Sequence, residues 1–273
     1  MSADYAQMTG RQIRQLCRAA RFDRPTAGVA RGFAQANLVI LPGDLGERFR
    51  EFCRLNPKPC PLLEVTRPGS YEAAELAPGS DLRTDLPRYR VYVDGVCVDR
   101  PTDIMVHWPD TSRAFVAFLV GCSFTFERAL VDAGVPVRHV ALGCNVPMYR
   151  TNVACAPAGP FHGPLVVSMR PMTPELARVA ERVTSRCPRV HGPPVQIGHA
   201  EALGIADLSV PDYGDPVPVH DGEVPVFWAC GVTPMEAIIR AKPALAITHE
   251  PGHMLVTDVS DRSLFEGPVG TPS

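Results

Sequence analysis

The chain reads as an α/β protein, with mixed sheets carrying helices on their faces and two intimately packed subdomains. Three observations lead there. Short apolar runs alternate with helix-like segments along most of the 273 residues, the pattern of strand–helix architectures. Two of these runs, Ala117 to Val120 and Val224 to Ala229, break at cysteine-bearing turns (Gly121-Cys122-Ser123 and Cys230-Gly231) and pass directly into helices. Pro (29) and Gly (22) are plentiful without any low-complexity linker, so the elements should be short and joined by ordered turns.

Thr9 caps a first helix over about residues 10–20, with Ile13, Leu16, Cys17 and Ala20 on one face. Ala34 to Leu41 is a buried strand stopped by Pro42, and Asp44 caps a helix carrying Leu45, Phe49, Phe52 and Cys53. Leu62 to Val65 is a strand. Arg88 to Val98 alternates around Asp94-Gly95, the signature of a type I′ hairpin. Phe118 to Asn152 then runs strand, Cys122 turn, helix ended by Gly134, strand Val135 to Leu142, and a polar loop with Cys144, Asn145, Tyr149, Arg150, Thr151 and Asn152. Leu165 to Met169 is a strand, and Thr173-Pro174-Glu175 opens a helix with cap, N1 proline and first-turn acid. After Val195 to Ile197 and Val224 to Ala229, Thr233-Pro234-Met235-Glu236 reads as a capping box. Strands Ala244 to Thr248 and Met254 to Val259 follow, and the last dozen residues read as a loose tail. The pattern divides into a main subdomain of residues 1–115 and 200–273 and a second α+β subdomain of residues 116–199. Val120 to His139 and Trp228 to His249 share the order strand, Cys-x-x-Thr, helix, strand, His, which suggests an internal β-turn-α duplication.

Composition narrows the function. A net charge of −2 gives no electrostatic footprint for nucleic acid or an anionic membrane. Of the 27 basic residues only Lys58 and Lys242 are lysine, so the chain is rich in planar carboxylate-binding forks. Nine cysteines, an odd number without any C-x-x-C pair, argue against a disulfide framework and for a reducing cytoplasm. The first ten residues lack the apolar core of a signal peptide, and no run reaches the ~18 apolar residues of a membrane span. Neither phosphate-binding glycine motif nor the G-x-S-x-G elbow occurs, which removes support for ATP, NAD and α/β-hydrolase readings.

What remains is a set of side chains for acid–base work on a small anion. Cys122 and Cys230 each stand at a helix start, where N–H groups and the macrodipole stabilise a thiolate, against the plain alternative of a small core side chain. Glu127 follows an aromatic-rich turn and reads as a partly buried acid with a raised pKa, whereas Glu236 is explained by its capping box. His249 can move a proton near neutral pH. Its spacing to His253 admits a weak divalent-metal site, although Pro251-Gly252 makes that segment a turn; otherwise no cofactor is called for. Arg83, Arg150 and Arg170 can clamp a carboxylate. Ser123, Asn145, Tyr149, Thr151, Asn152 and Thr233 supply the remaining polar contacts of a substrate site.

Six motifs, Asn56-Pro57-Lys58-Pro59-Cys60-Pro61, Arg83-Thr84-Asp85-Leu86-Pro87, Gly121-Cys122-Ser123-Phe124, Asn145 to Asn152, Val167-Ser168-Met169-Arg170-Pro171 and Phe227 to Pro234, occur in order, within a resemblance that extends from about Thr9 to Asp258. Together they resemble the bacterial family named "putative hydro-lyase", itself similar to a region of mitochondrial D-glutamate cyclase. Gln196-Ile197-Gly198-His199 departs from the His-Ile-Gly-Asp expected of relatives. The resemblance implies a cytosolic α/β protein of two subdomains with hydro-lyase activity on a small amino or carboxylic acid, for which the cyclase reaction, D-glutamate closing to 5-oxo-D-proline with loss of water, is one candidate. Such a reaction needs a carboxylate clamp, a proton carrier and a group to hold the oxyanion. Two other readings stand beside it: a cofactor-independent isomerase with Cys122 and Cys230 on opposite sides of an α-carbon, and a non-catalytic ligand-binding partner in 5-oxoproline metabolism. All three call for a small anionic ligand, without nucleic acid or membrane, and are compatible with a homo-oligomer.

Overall fold

A computed structural model describes residues 4–108 and 115–265. It has the expected α/β architecture, with two sheets that are antiparallel in every described pairing. The seven-stranded sheet is organised on β1 (Phe33–Pro42), in the order β2 (Leu62–Val65), β5 (Phe115–Gly121), β1, β10 (Ala246–His249), β3 (Tyr89–Val93), β4 (Val96–Asp99). β11 (Leu255–Ser260) pairs the first half of the same β1 edge. The four-stranded sheet runs β6 (Met148–Ala154), β7 (Pro164–Met172), β9 (Val224–Ala229), β8 (Gln196–Ile197).

β1 and β5 are apolar almost throughout because both their faces are covered. Val39, Leu41 and Phe118 enter one buried cluster with Met169, Phe227 and Met235, while Leu38, Ile40 and Leu119 enter another with Ala177, Ala180 and Trp228. Phe49 and Phe52 of α2 (Gly43–Leu55) and Met235 and Ile238 of α6 (Thr233–Ala241) belong to the first cluster. Phe126 and Leu130 of α3 (Phe124–Asp132) and Ala177 and Ala180 of α5 (Pro174–Thr184) belong to the second. Each cluster draws on strands of both sheets, so the sheets share their cores. α1 (Gly10–Arg18) lies against β11, tied by Arg14 to Asp258 and to the Val256 carbonyl.

Most local expectations hold. Thr9 forms its capping box with Gln12, Thr173 caps α5 ahead of Pro174, and Asp94 and Gly95 (φ 51° and 80°) make the hairpin turn. Four expectations are corrected. Val135 to Leu142 is not a strand: Pro136 cannot donate to a ladder, Val135 and Val137 plug the core, and Arg138–Leu142 forms a short helix, α4. The stretch from Tyr149 to Asn152 is not loop but part of β6, an edge strand. Asp44 stands in the first turn of α2 behind an uncapped Pro42. Thr233 forms no capping box, since Val232 is the N-cap residue and the threonine hydroxyl is engaged elsewhere. Of the expected tail, residues 266–273 lie outside the described residues, and Asp261–Leu264 is a 3₁₀ turn.

Candidate active site

β5 and β9 belong to different sheets, yet their C-terminal turns meet. Asn37 on β1 joins them. Its Nδ2 donates to the Gly121 carbonyl at 2.7 Å, and a Cβ on Gly231 would fall 2.0 Å from that same nitrogen, so the approach itself requires glycine. The two turns are also built alike. Thr125 accepts from the Gln35 N–H at 3.0 Å and donates to the Gln35 carbonyl; Thr233 accepts from the Val166 N–H at 3.0 Å and donates to the Val166 carbonyl. Each threonine thus fastens its helix start to a neighbouring strand. The likeness stops there, since α3 is followed by α4 and α6 by β10.

Beneath these turns lies a buried ionic centre. Arg170, on β7 and 1% exposed, stacks between Phe126 and Trp228, each ring centroid 5.4 Å from its guanidinium carbon. It donates to Glu127 Oε1 through Nε (3.0 Å) and Nη2 (2.5 Å), to Ser123 Oγ through Nη2, and to Ser168 Oγ through Nη1, both at 3.1 Å. His139 Nε2 stands 3.1 Å from the same Glu127 oxygen, outside hydrogen-bond geometry, and Glu127 Oε2 has no partner. The expected rise in the Glu127 pKa is corrected: burial pushes the carboxyl up, but His139 and Arg170 outweigh it and hold the group below its ordinary value. The cluster is therefore an ionised carboxylate locked to a guanidinium, with lone pairs to spare.

Cys122 and Cys230 flank this centre in one apolar cluster, 6% and 7% exposed. Burial is the first influence on both thiols. It drives Cys122 far up, helped by the nearby Cys230 and Glu127, and Cys230 to about 11, against the pull of Arg170. The helix starts do not produce standing thiolates, because desolvation exceeds the dipole here. His191 lies buried in the turn after α5, whose Arg189 carbonyl packs against Gly121. Its Nδ1 lies 2.9 Å from the Lys58 carbonyl, its Nε2 has no hydrogen-bond partner, and burial lowers its pKa to about 4.

Other expected site residues are placed differently. Arg150 is not at the Arg170 centre: it pairs with Glu236 and Asp212 at 2.7 Å each and donates to the Tyr213 hydroxyl, which itself donates to Glu236. Glu236, assigned to a cap from its spacing, is instead a buried ion-pair partner. An open cavity of about 510 Å³ lies beside this pair, lined also by His162, Arg240 and Lys242. Asn152 lines an adjoining cavity of about 430 Å³. Tyr149 donates to the Leu208 carbonyl and Thr151 to the Leu165 carbonyl, both at structural joints. Asn145 donates to the Pro251 carbonyl against Gly252, leaving its Oδ1 unpaired. His249 is buried with Nδ1 on the Leu38 backbone, and burial lowers its pKa to about 4. His253 turns to the Pro251 carbonyl, and no three His, Cys, Asp or Glu side chains among the described residues group as a metal cage. Arg83 is held by Asp81 and stacks 3.7 Å from the Tyr71 ring centroid. His139, which closes the first half of the Cys-x-x-Thr echo, and His191 read from the sequence as polar strand-end or loop residues, yet both rings are buried.

The chain matches the family described as D-glutamate cyclase over residues 116–258, which includes both cysteine turns, Glu127, Arg170 and His191. A "Putative hydro-lyase" of Geobacillus kaustophilus is 53% identical over 95% of this chain and 97% of its own. One of Stutzerimonas stutzeri is 55% identical over 95% and 97%, and one of Bacillus subtilis 52% over 94% and 99%. Among solved structures, a nitrogen repressor-like protein of Methanococcus jannaschii gives a TM-score of 0.34 at 9% identity, covering 93% of this chain and 99% of its own. That value is too low to relate the two folds. With the family model matched over residues 116–258 and the bacterial relatives matched along most of their length, the chain belongs to the D-glutamate cyclase family.

Proposed function

We propose that the protein is a hydro-lyase acting on a small amino or carboxylic acid, with D-glutamate and 5-oxo-D-proline, interconverted by loss or gain of water, as its reactants. The observation that carries this reading is Arg170. It is a fully buried guanidinium on a rigid strand, with Ser123, Ser168 and an ionised glutamate as ligands that a substrate carboxylate can replace. Its four bonds use four of the five N–H groups of a guanidinium, so one Nη1 hydrogen has no partner among the described residues.

Chemically, the ammonium of D-glutamate must lose a proton before its nitrogen attacks the γ-carboxyl carbon. The C–N bond forms, a C–O bond breaks, and one γ-oxygen leaves as water carrying two hydrogens from nitrogen. Arg170 holds the α-carboxylate, while Glu127 Oε2, unpaired, attracts the ammonium. Proton nuclear magnetic resonance of the purified full chain with D-glutamate, and separately with 5-oxo-D-proline, tests this. Conversion in either direction is expected. No conversion from mildly acidic to mildly alkaline pH, with or without divalent cation, removes this substrate pair.

A second reading, the two-cysteine isomerase, draws on the shared cluster of Cys122 and Cys230. The same experiment in deuterium oxide separates the two. The isomerase predicts deuterium at the substrate α-carbon, and the lyase predicts none.

A further inference from the structure

The open cavity beside Arg150 lies apart from the Arg170 centre. Arg150 stands opposite Val166 of β7, and Val166 precedes Arg170 by four residues, about 13 Å of strand. The cavity is lined by Arg150, His162, Glu236, Ile239, Arg240 and Lys242, three cations against one carboxylate with a single apolar side chain. His162 and Arg240 also line the adjoining cavity, so the two share a wall. Arg150 is already committed, through Nε to Glu236, Nη1 to Asp212 and Nη2 to the Tyr213 hydroxyl. Glu236 and Asp212 compensate its charge. The surplus on the cavity wall is that of Arg240 and Lys242.

Neither side chain has a hydrogen-bond or ion-pair partner among the described residues, whereas Arg14, Arg90, Arg138 and Arg170 each hold a carboxylate. Both are exposed, and an exposed cation needs no partner. What sets these two apart is that the fold fixes where they stand. Lys242 ends α6 in the left-handed conformation, φ 48° and ψ 52°, where glycine is the usual residue because a Cβ is strained there. The Asp94-Gly95 hairpin turn closes over it. The Asp94 N–H donates to the Pro243 carbonyl at 2.9 Å, and a Cβ on Gly95 would fall 2.4 Å from the Ile239 carbonyl oxygen and 2.9 Å from Lys242 Cγ. Arg240 is laid against the other sheet: a Cβ on Gly163, just ahead of β7, would fall 3.1 Å from its Cδ and 3.2 Å from its Nε. A glycine from each sheet therefore holds the stem of one cation at the cavity. The α6 macrodipole favours a cation in the last turn. That accounts for a charge there, but not for two stems pinned at one cavity, nor for a lysine kept at a glycine position.

We propose that this cavity binds a small dianion bearing carboxylate or phosphate oxygens, with Arg240 as a planar fork and Lys242 as a point charge. A cleft with surplus positive charge concentrates such anions, and the polar lining suits a ligand without a hydrophobic body. D-Glutamate, with two carboxylates and an ammonium, and 5-oxo-D-proline, with one carboxylate, each carry a single net negative charge. The ligand is therefore neither reactant, and the proposal stands apart from the reaction reading.

Isothermal titration calorimetry of the full chain tests it, with inorganic phosphate in one arm, glutarate in the other, and chloride holding ionic strength constant. Saturable binding of at least one is expected, and the arm that binds tells a phosphate from a dicarboxylate. Lys242→Gly relieves the left-handed strain, so its melting temperature should equal or exceed that of the wild type while the Kd rises about 10–100-fold. Arg240→Gln, at an exposed position, should raise the Kd by a similar factor without loss of stability. An unchanged Kd in either variant would place the anion elsewhere, the Arg170 centre included, and overturn the proposal. So would a chain that binds neither phosphate nor glutarate above the chloride background.

Discussion

At the residue scale, the Arg170–Glu127 pair decides how much of the centre is chemistry and how much is support. Both side chains are buried, so each depends on the other to offset desolvation. Arg170→Met removes the guanidinium and strands an ionised Glu127. It is expected to cost about 3–5 kcal/mol in urea unfolding. The double variant Arg170→Met with Glu127→Leu should recover a large part of that loss while abolishing activity. Recovery of stability without recovery of turnover would separate the two roles; a double variant no more stable than the single would show that the pair is not coupled. These two residues were legible in the sequence, Arg170 from its Ser-Met-Arg-Pro motif and Glu127 from its place after the cysteine turn. His191 was not, because its position depends on a positive φ and on a carbonyl 133 residues away. Glu236 was misread for the opposite reason: its spacing fits a local cap so well that the distant Arg150 and Tyr213 could not be suspected.

At the scale of elements, the two cysteine turns work as joints between strand and helix. Their repeated Cys-x-x-Thr spelling was visible from the sequence, and both threonines make the same two bonds to a neighbouring strand. Replacing either by valine keeps the shape but leaves a buried N–H, of Gln35 or Val166, unpaired. Thr125→Val and Thr233→Val are each expected to lose about 1–3 kcal/mol by urea unfolding. A loss below ~0.5 kcal/mol for either would mean that its strand finds another acceptor. The elements around the joints were less legible. Val135 and Val137 alternate as a strand would, yet they bury a loop, since Pro136 removes the donor a ladder needs. The polar side chains of Arg150 and Asn152 suggested a loop because β6 is an edge strand, exposed on one side to solvent. Sequence periodicity reports burial, and burial is only loosely tied to backbone form at an edge or a plug.

For the whole molecule, the buried histidines make stability depend on pH in a range where carboxylates alone would not. His191 and His249 are each lowered by burial from 6.5 to about 4, and His253 is lowered as well. Between pH 6.5 and 4 the unfolded chain binds protons that the folded chain refuses, so stability rises with pH across that window and falls as the solution is acidified. Each histidine contributes a slope approaching about 1.4 kcal/mol per pH unit inside it. Glu127 and Glu250 act in the same direction further down. Both are held below their ordinary value despite burial, by Arg170 with His139 and by Arg90 respectively, so the stability they give is lost as pH falls through those lowered values. The melting temperature should therefore be level above pH 6.5 and begin to decline there, not near pH 4.5. In a chain of this size each kcal/mol moves it about 2–4 °C. His191→Asn should flatten the decline between pH 6.5 and 4.5, because the group that resists protonation is gone. A wild-type melting temperature unchanged from pH 8 to 5 would mean that these rings are protonated in the fold.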